Sequence, residues 1–224
     1  GTDWDDAYYQ IVYYQAVATA NVTRMMIFKS MNDFYGEQKS SLANVYAALV
    51  EECVALDKEL TDYYNNTMSD GKWSKMMSSP HVGFVTWNSD GWSYPKGEEI
   101  PLSEDANMLV SPDGDPDAYG SGTVSLPVFT NTGKERRCIT MSNGGTNDYT
   151  FTVGTLADWI QITDKEGNQI VNGGSVSDAA YFYVSVDWSK VRSDKTGTVV
   201  IKGNGQTVKL NVEASYTEYK SKGV

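Results

Sequence analysis

The side chains that could do chemistry in this chain are few and scattered. A single histidine, His81, occurs in 224 residues, which rules out any catalytic or zinc site built on more than one imidazole. Following Pro80, it either packs at a domain interface with one ring nitrogen hydrogen-bonded or helps to line a substrate cleft. Trp87, Trp92 and Tyr94 crowd a loop that also holds Asn88, Ser89, Asp90 and Gly91. Aromatic faces stack on the apolar faces of sugar rings while amides and carboxylates take the hydroxyls, so Trp87, Trp92, Tyr94 and His81 are the carbohydrate-contact candidates. The competing reading is that Trp87 and Tyr94 pin the connection between two domains. Asp113-Gly114-Asp115-Pro116-Asp117 alternates carboxylates as a calcium loop does, but Ala118 and Val124 stand where such a loop needs Gly and Glu. An acidic turn is the default there. The remaining acids read as solvated helix faces (Glu51, Glu52, Asp57, Glu59) or turns (Asp105, Asp164). No catalytic residue, metal-ligand set or cofactor is assigned.

Those candidates must be held by two different kinds of scaffold. The stretch from Trp4 to about Tyr35 places Tyr8, Ile11, Val12, Gln15, Ala16, Thr19, Val22, Met26 and Met31 at spacings of about three and four, predicting a helix with a broad buried stripe. Asp3, Asp5 and Asp6 suit its start and Gly36 its end. A second helix runs from Ser40 or Ser41 to Tyr64 on Leu42, Val45, Tyr46, Leu49, Cys53, Leu56 and Leu60. The two form an antiparallel hairpin that cannot cover both stripes by itself. Around Lys72 to Met77 a short helix is the local candidate to help.

Pro95 to Pro101 has the composition of a linker, and beyond it the period changes from 3.6 to 2. Strands are expected at 125–129, 137–142, 148–153, 160–163, 180–186, 197–202 and 206–212, separated by turns such as Asn143-Gly144-Gly145 and Gly203-Asn204-Gly205. Trp159 and Trp188 fall where core burial is expected. The fold class is therefore α+β in two domains: a long-helix hairpin or bundle over 1–94, a linker at 95–104, an immunoglobulin-like antiparallel β-sandwich over 105–214 and a tail at 215–224.

Composition limits the partners. The net charge is −11, with 29 acidic against 18 basic side chains, and no Lys or Arg run interleaves with aromatics. Nucleic acid and anionic membrane surfaces are disfavoured, and no apolar stretch reaches the roughly 18 residues of a membrane span. Cys53 and Cys138 lie in different domains and read as free thiols.

The junction Asp70-Gly71-Lys72-Trp73-Ser74-Lys75-Met76-Met77-Ser78-Ser79-Pro80-His81-Val82-Gly83-Phe84-Val85-Thr86-Trp87 resembles the segment G-G-K-W-x-x-M-M-x-x-x-H-I-G-Y-x-x-W of glycoside hydrolase family 115, the xylan α-glucuronidases. Asp70, Val82 and Phe84 replace Gly, Ile and Tyr. Further matches follow in order: Leu126-Pro127-Val128-Phe129, Ile139 to Gly145, Asp158-Trp159-Ile160 and Val184 to Trp188. This resemblance implies the helical and β-sandwich domains that follow a catalytic barrel, in a bacterial, secreted or periplasmic enzyme acting on glucuronoxylan without a required cofactor. It also implies a missing barrel partner and a homodimer. Glycoside hydrolysis needs two carboxyl groups flanking one bond, and none of the family's catalytic motif maps onto this sequence. A stand-alone carbohydrate-binding module and a structural surface-assembly protein are the alternatives.

Overall fold

The computed structural model describes residues 3–79, 81–82, 93–133 and 135–218. Two compact units are present, one made of Gly1–Gly36 with Ala43–Ile100, the other of Glu37–Leu42 with Pro101–Val224. The architecture is the expected α+β: long helices, then antiparallel-rich sheets.

In the helical unit, α1 (Asp3–Tyr8) passes through a π-helical turn at Tyr9–Tyr13 into α2 (Tyr14–Glu37), and α3 (Leu42–Asp62) ends in a second π-helical turn at Tyr63–Thr67. The buried stripe of α2 is not the expected one. Tyr14, Asn21, Met25, Asn32 and Tyr35 are buried, whereas Tyr8, Ile11, Val12 and Met26 are exposed. With the half-buried Ala18 and Phe28, positions 14, 18, 21, 25, 28, 32 and 35 alternate spacings of four and three. On α3 the matching row is Ala43, Tyr46, Val50, Cys53, Asp57, Leu60 and Tyr64. Two such rows make a coiled-coil-like seam. Counting only apolar residues missed it, because Asn21, Asn32 and Asp57 sit inside the seam.

The cover for this seam comes from the chain's own continuation. Trp73 and Met77 pack on the cluster of Tyr14, Leu60, Tyr64 and Met68, and Val82 and Tyr94 pack with Met25, Cys53 and Val54. Residues 72–77 form hydrogen-bonded turns rather than the expected helix. Further on, the Asn32 side chain donates to Glu98 O at 2.9 Å and accepts from Glu98 N at 3.0 Å. Asn44 does the same to both backbone groups of Ile100, at 3.0 and 2.8 Å. A two-residue interval in an extended chain presents the same edge, so two amides clamp one strap along the helices. Residues 95–100, linker-like in composition, thus belong to the helical unit.

Gly97 makes the strap's close approach possible, since a Cβ there would lie 2.4 Å from Ala47 O. Gly97→Ala is expected to cost about 1–3 kcal/mol, read as a lower urea midpoint followed by helical circular dichroism.

The second unit stacks a four-stranded sheet, in the order β1 (Met108–Pro112), β4 (Arg136–Asn143), β8 (Ala179–Val186), β6 (Ile160–Thr163), against a mixed sheet. That mixed sheet runs β2 (Gly122–Ser125), β10 (Gln206–Ser215), β9 (Lys195–Gly203), β5 (Tyr149–Thr155), β7 (Gly174–Val176), with β3 (Phe129–Thr130) also on β10. Pro127, lacking an N–H, splits the single strand expected at 125–129 into β2 and β3, and both pair parallel to β10. The sandwich is therefore not purely antiparallel. Strand β1 escaped the sequence reading because all five of its residues are buried, which erases the alternation. Alternate residues of the other strands fill one core around Phe182, Phe151, Ile139, Met141, Ile201 and Leu210, with Trp159 buried and Trp188 packed against it. The β9–β10 hairpin turns on Asn204 and Gly205, at φ of 48° and 72°, the left-handed pair its sequence calls for. Beyond β10, Asp194 and Asn131 hold the backbone of Tyr216 and Thr217.

Candidate functional site

Of the four carbohydrate-contact candidates, Trp87 and Trp92 lie outside the described residues. His81 and Tyr94 are brought together on a residue that the sequence reading had placed on a solvated face. Asp57 is buried, with its side chain 1% exposed. Its Oδ2 accepts from His81 Nδ1 at 2.9 Å and from the Tyr94 hydroxyl at 2.6 Å. The correction has a simple cause. Asp57 occupies the seam row of α3, four residues after Cys53 and three before Leu60, so the helix aims it inward whatever its polarity. That spacing was the available signal.

The electrostatics follow from burial and pairing. Burial works to raise the Asp57 carboxyl, yet the hydrogen bonds from His81 and Tyr94 and the charge of His81 outweigh it and hold the group below its ordinary value. The Asp57 hydrogen bond raises His81 above its ordinary value, burial opposes, and the carboxylate charge adds. Burial, then the Asp57 hydrogen bond and charge, push the Tyr94 phenol far up. A carboxylate that holds an imidazole can orient a base. Here the third member is a phenol donating into the same carboxylate, which ties three chain segments together. The Tyr94 hydroxyl is thus engaged with Asp57, and Lys58 Nζ lies 5.4 Å from the ring centroid.

The two π-helical turns meet at the far end of the hairpin, where Tyr9, Tyr13, Glu59, Asp62, Tyr63 and Thr67 line a groove of about 290 Å³. Burial and neighbouring phenols raise Tyr9 to about 12, and its hydroxyl donates to Leu60 O at 3.2 Å. Sequence reading treated these tyrosines only as helix residues. In the sandwich, a groove of about 770 Å³ crosses the outer face of the mixed sheet between Thr152, Gly154, Leu156, Thr198, Val200 and Lys202, without an aromatic side chain in its lining. Among the described residues no group of three or more His, Cys, Asp or Glu could hold a metal. Both cysteines are free, Cys53 buried and Cys138 half-buried. No helix of the described residues is long and apolar enough to cross a membrane.

No protein-family model and no curated protein matches this chain. Among solved structures, it is similar to the ASH/PapD-like domain 7 of human CEP192, at 12% identity over 59% of this chain and 99% of that one, with a TM-score of 0.32. It is also similar to a Bacteroides ovatus GH5 xyloglucanase in complex with a XXXG heptasaccharide, at 13% identity over 50% of this chain and 20% of that one, TM-score 0.32. A third likeness is to domains 4 and 5 of the S-layer protein SbsC, at 10% identity over 50% of this chain and 54% of that one, TM-score 0.28. Likenesses this distant carry no argument about activity.

Proposed function

We propose that this chain is the non-catalytic C-terminal region of a secreted or periplasmic glycoside hydrolase resembling the family 115 xylan α-glucuronidases. In this reading it buttresses the catalytic barrel, shapes one rim of its cleft and contributes to dimerisation. One observation carries the buttressing role. Trp4, Tyr8, Ile11 and Val12, at helical spacings of four, three and one, leave a contiguous apolar face in water, with Trp4 85% and Ile11 71% exposed. A face of this kind marks a surface that another body covers. The junction motif gains a physical reason as well. Trp73 and Met77 cap the end of the seam, and His81 bonds to Asp57, the carboxylate that Tyr94 at the start of the strap also bonds.

The test is to replace Ile11 and Val12 together with Asp in the full-length protein that carries this chain. Release of glucuronic acid from glucuronoxylan is expected to fall at least about tenfold, the equivalent of roughly 1.4 kcal/mol, while helical circular dichroism is retained. Unchanged release would contradict the buttressing role.

A further inference from the structure

The groove at the two π-helical turns holds aromatic and acidic side chains that the buttressing role leaves unused. Each turn is closed by a backbone N–H five residues on, with Tyr14 N donating to Tyr9 O and Met68 N to Tyr63 O. Turns of this kind are rare and recur at functional sites, and here both line one groove. The first contributes Tyr9 and Tyr13, the second Tyr63 and Thr67, and the last turn of α3 adds Glu59 and Asp62.

The Tyr9 ring lies 5.3 Å from that of Tyr13 and 4.6 Å from that of Tyr63, centroid to centroid. Tyr9 is half-buried, whereas Tyr13 and Tyr63 are 42% and 40% exposed, so the outer pair leave ring surface open to the groove. The negative face of such a ring attracts a cation that comes within about 6 Å of its centroid. Among the described residues, the lining holds two carboxylates and no Lys, Arg or His. Burial first, then the neighbouring phenols and last the Glu59 charge raise the Tyr9 hydroxyl, so that charge is felt at the innermost ring.

We propose that this groove binds a small quaternary ammonium molecule, its methylated nitrogen against the Tyr13 and Tyr63 rings and its charge balanced by Glu59 and Asp62. Charge complementarity calls for a cation, and the donor set chooses its kind. A divalent metal needs several oxygen ligands at once, and no group of three or more His, Cys, Asp or Glu among the described residues supplies them. A primary ammonium is strongly hydrated and brings three N–H groups that need acceptors. Acceptors are short here, since the Tyr9 hydroxyl is engaged with Leu60 O and Asp62 Oδ1 accepts from the Asn66 amide at 2.7 Å. A quaternary nitrogen carries no N–H and gives up little hydration, so ring faces and nearby negative charge suffice. The volume of about 290 Å³ suits a molecule of choline's size. This inference does not rest on the buttressing role, so each can fail without the other.

The experiment is a nuclear magnetic resonance titration of the whole chain with choline, with dimethylbutanol (the uncharged isostere in which carbon replaces nitrogen), with ammonium chloride and with glycine betaine, which adds a carboxylate. Choline is expected to shift the Tyr9, Tyr13 and Tyr63 ring signals saturably, binding at least about tenfold more tightly than dimethylbutanol or ammonium, a gap of one decade in Kd. Betaine should bind more weakly than choline, because its carboxylate meets Glu59 and Asp62. Tyr13→Leu should remove most of the choline affinity while Tyr13→Phe, which keeps the ring, retains it. Glu59→Gln with Asp62→Asn should narrow the gap between choline and its isostere, whereas Glu213→Gln, in the sandwich, should leave it unchanged. Equal affinity for choline and dimethylbutanol, an equal response to ammonium, full affinity in Tyr13→Leu, or no shift at about 10 mM choline overturns the proposal. The comparison of ligands on the parent chain decides it even where a variant fails to fold.

Discussion

Replacement of Asp57 by alanine is expected to lower the unfolding free energy of the helical unit by about 3 kcal/mol, the lower end of the range for breaking a buried ion pair. The lower end applies because His81 is 21% exposed and can shed its proton once the carboxylate is gone. What then remains is an unpaired Tyr94 hydroxyl, a seam position without its side chain and a strap that has lost its fastening. Asp57→Asn keeps the volume and one acceptor, and should cost about 1–2 kcal/mol.

The pH profile separates charge from packing. His81 is raised from its ordinary 6.5, so its contribution is fully present below pH 6.5 and is lost as pH rises through the raised value. Asp57 is lowered from its ordinary 3.8, so its contribution is present above about pH 4 and is lost as pH falls through the lowered value. Both shifts describe one interaction and are not added. Stability of the helical unit, followed by urea unfolding, should therefore be highest between those limits and fall on the alkaline side. Asp57→Asn should flatten the alkaline fall, and a flat profile in the parent chain would contradict the charged pair.

The second large effect is expected at Asn143→Ala, in the sandwich. Asn143 is fully buried. Its Oδ1 accepts from the backbone of Asn107 at 3.1 Å and Gly145 at 2.9 Å, and its Nδ2 donates to Asn147 O at 2.9 Å and Ser177 O at 3.4 Å. Truncation leaves two N–H donors, that of Gly145 buried and that of Asn107 part-buried, and two part-buried carbonyls without their partner, at roughly 1–3 kcal/mol for each group that water cannot reach. A loss of about 3 kcal/mol or more in urea unfolding is expected. Asn143→Asp should not rescue it, because a carboxylate would face the Asn147 and Ser177 carbonyls. A variant within 1 kcal/mol of the parent, about the net worth of one hydrogen bond, would mean that the loop finds another arrangement. The neighbouring glycine shows how little room there is, since a Cβ on Gly145 would overlap the Asp105 carbonyl oxygen.

Particular residues explain what the sequence disclosed. The β9 and β10 strands were legible because Val208, Leu210 and Val212 alternate with Lys209 and Asn211, the run Val199-Val200-Ile201 is β-branched, and an Asn-Gly turn joins the two. Helix existence and length were legible from composition and from Gly36. The buried face was not, because the π-helical turn at Tyr9–Tyr13 shifts the phase of the apolar row and because asparagine and aspartate occupy seam positions. Asn32 and Asn44 hold a strap more than fifty residues further along the chain, and local periodicity has no access to such a pairing. For the same reason His81 and Tyr94 could be singled out by type and Asp57 placed inward by its spacing, but nothing local paired the three.

The buttressing account is tested most directly by measuring uronic acid release from glucuronoxylan by the full-length protein and, side by side, by residues 1–224 alone. Release by the full-length protein with none from the isolated chain is the expected result. Release by the isolated chain, or none by the full-length protein, would contradict it.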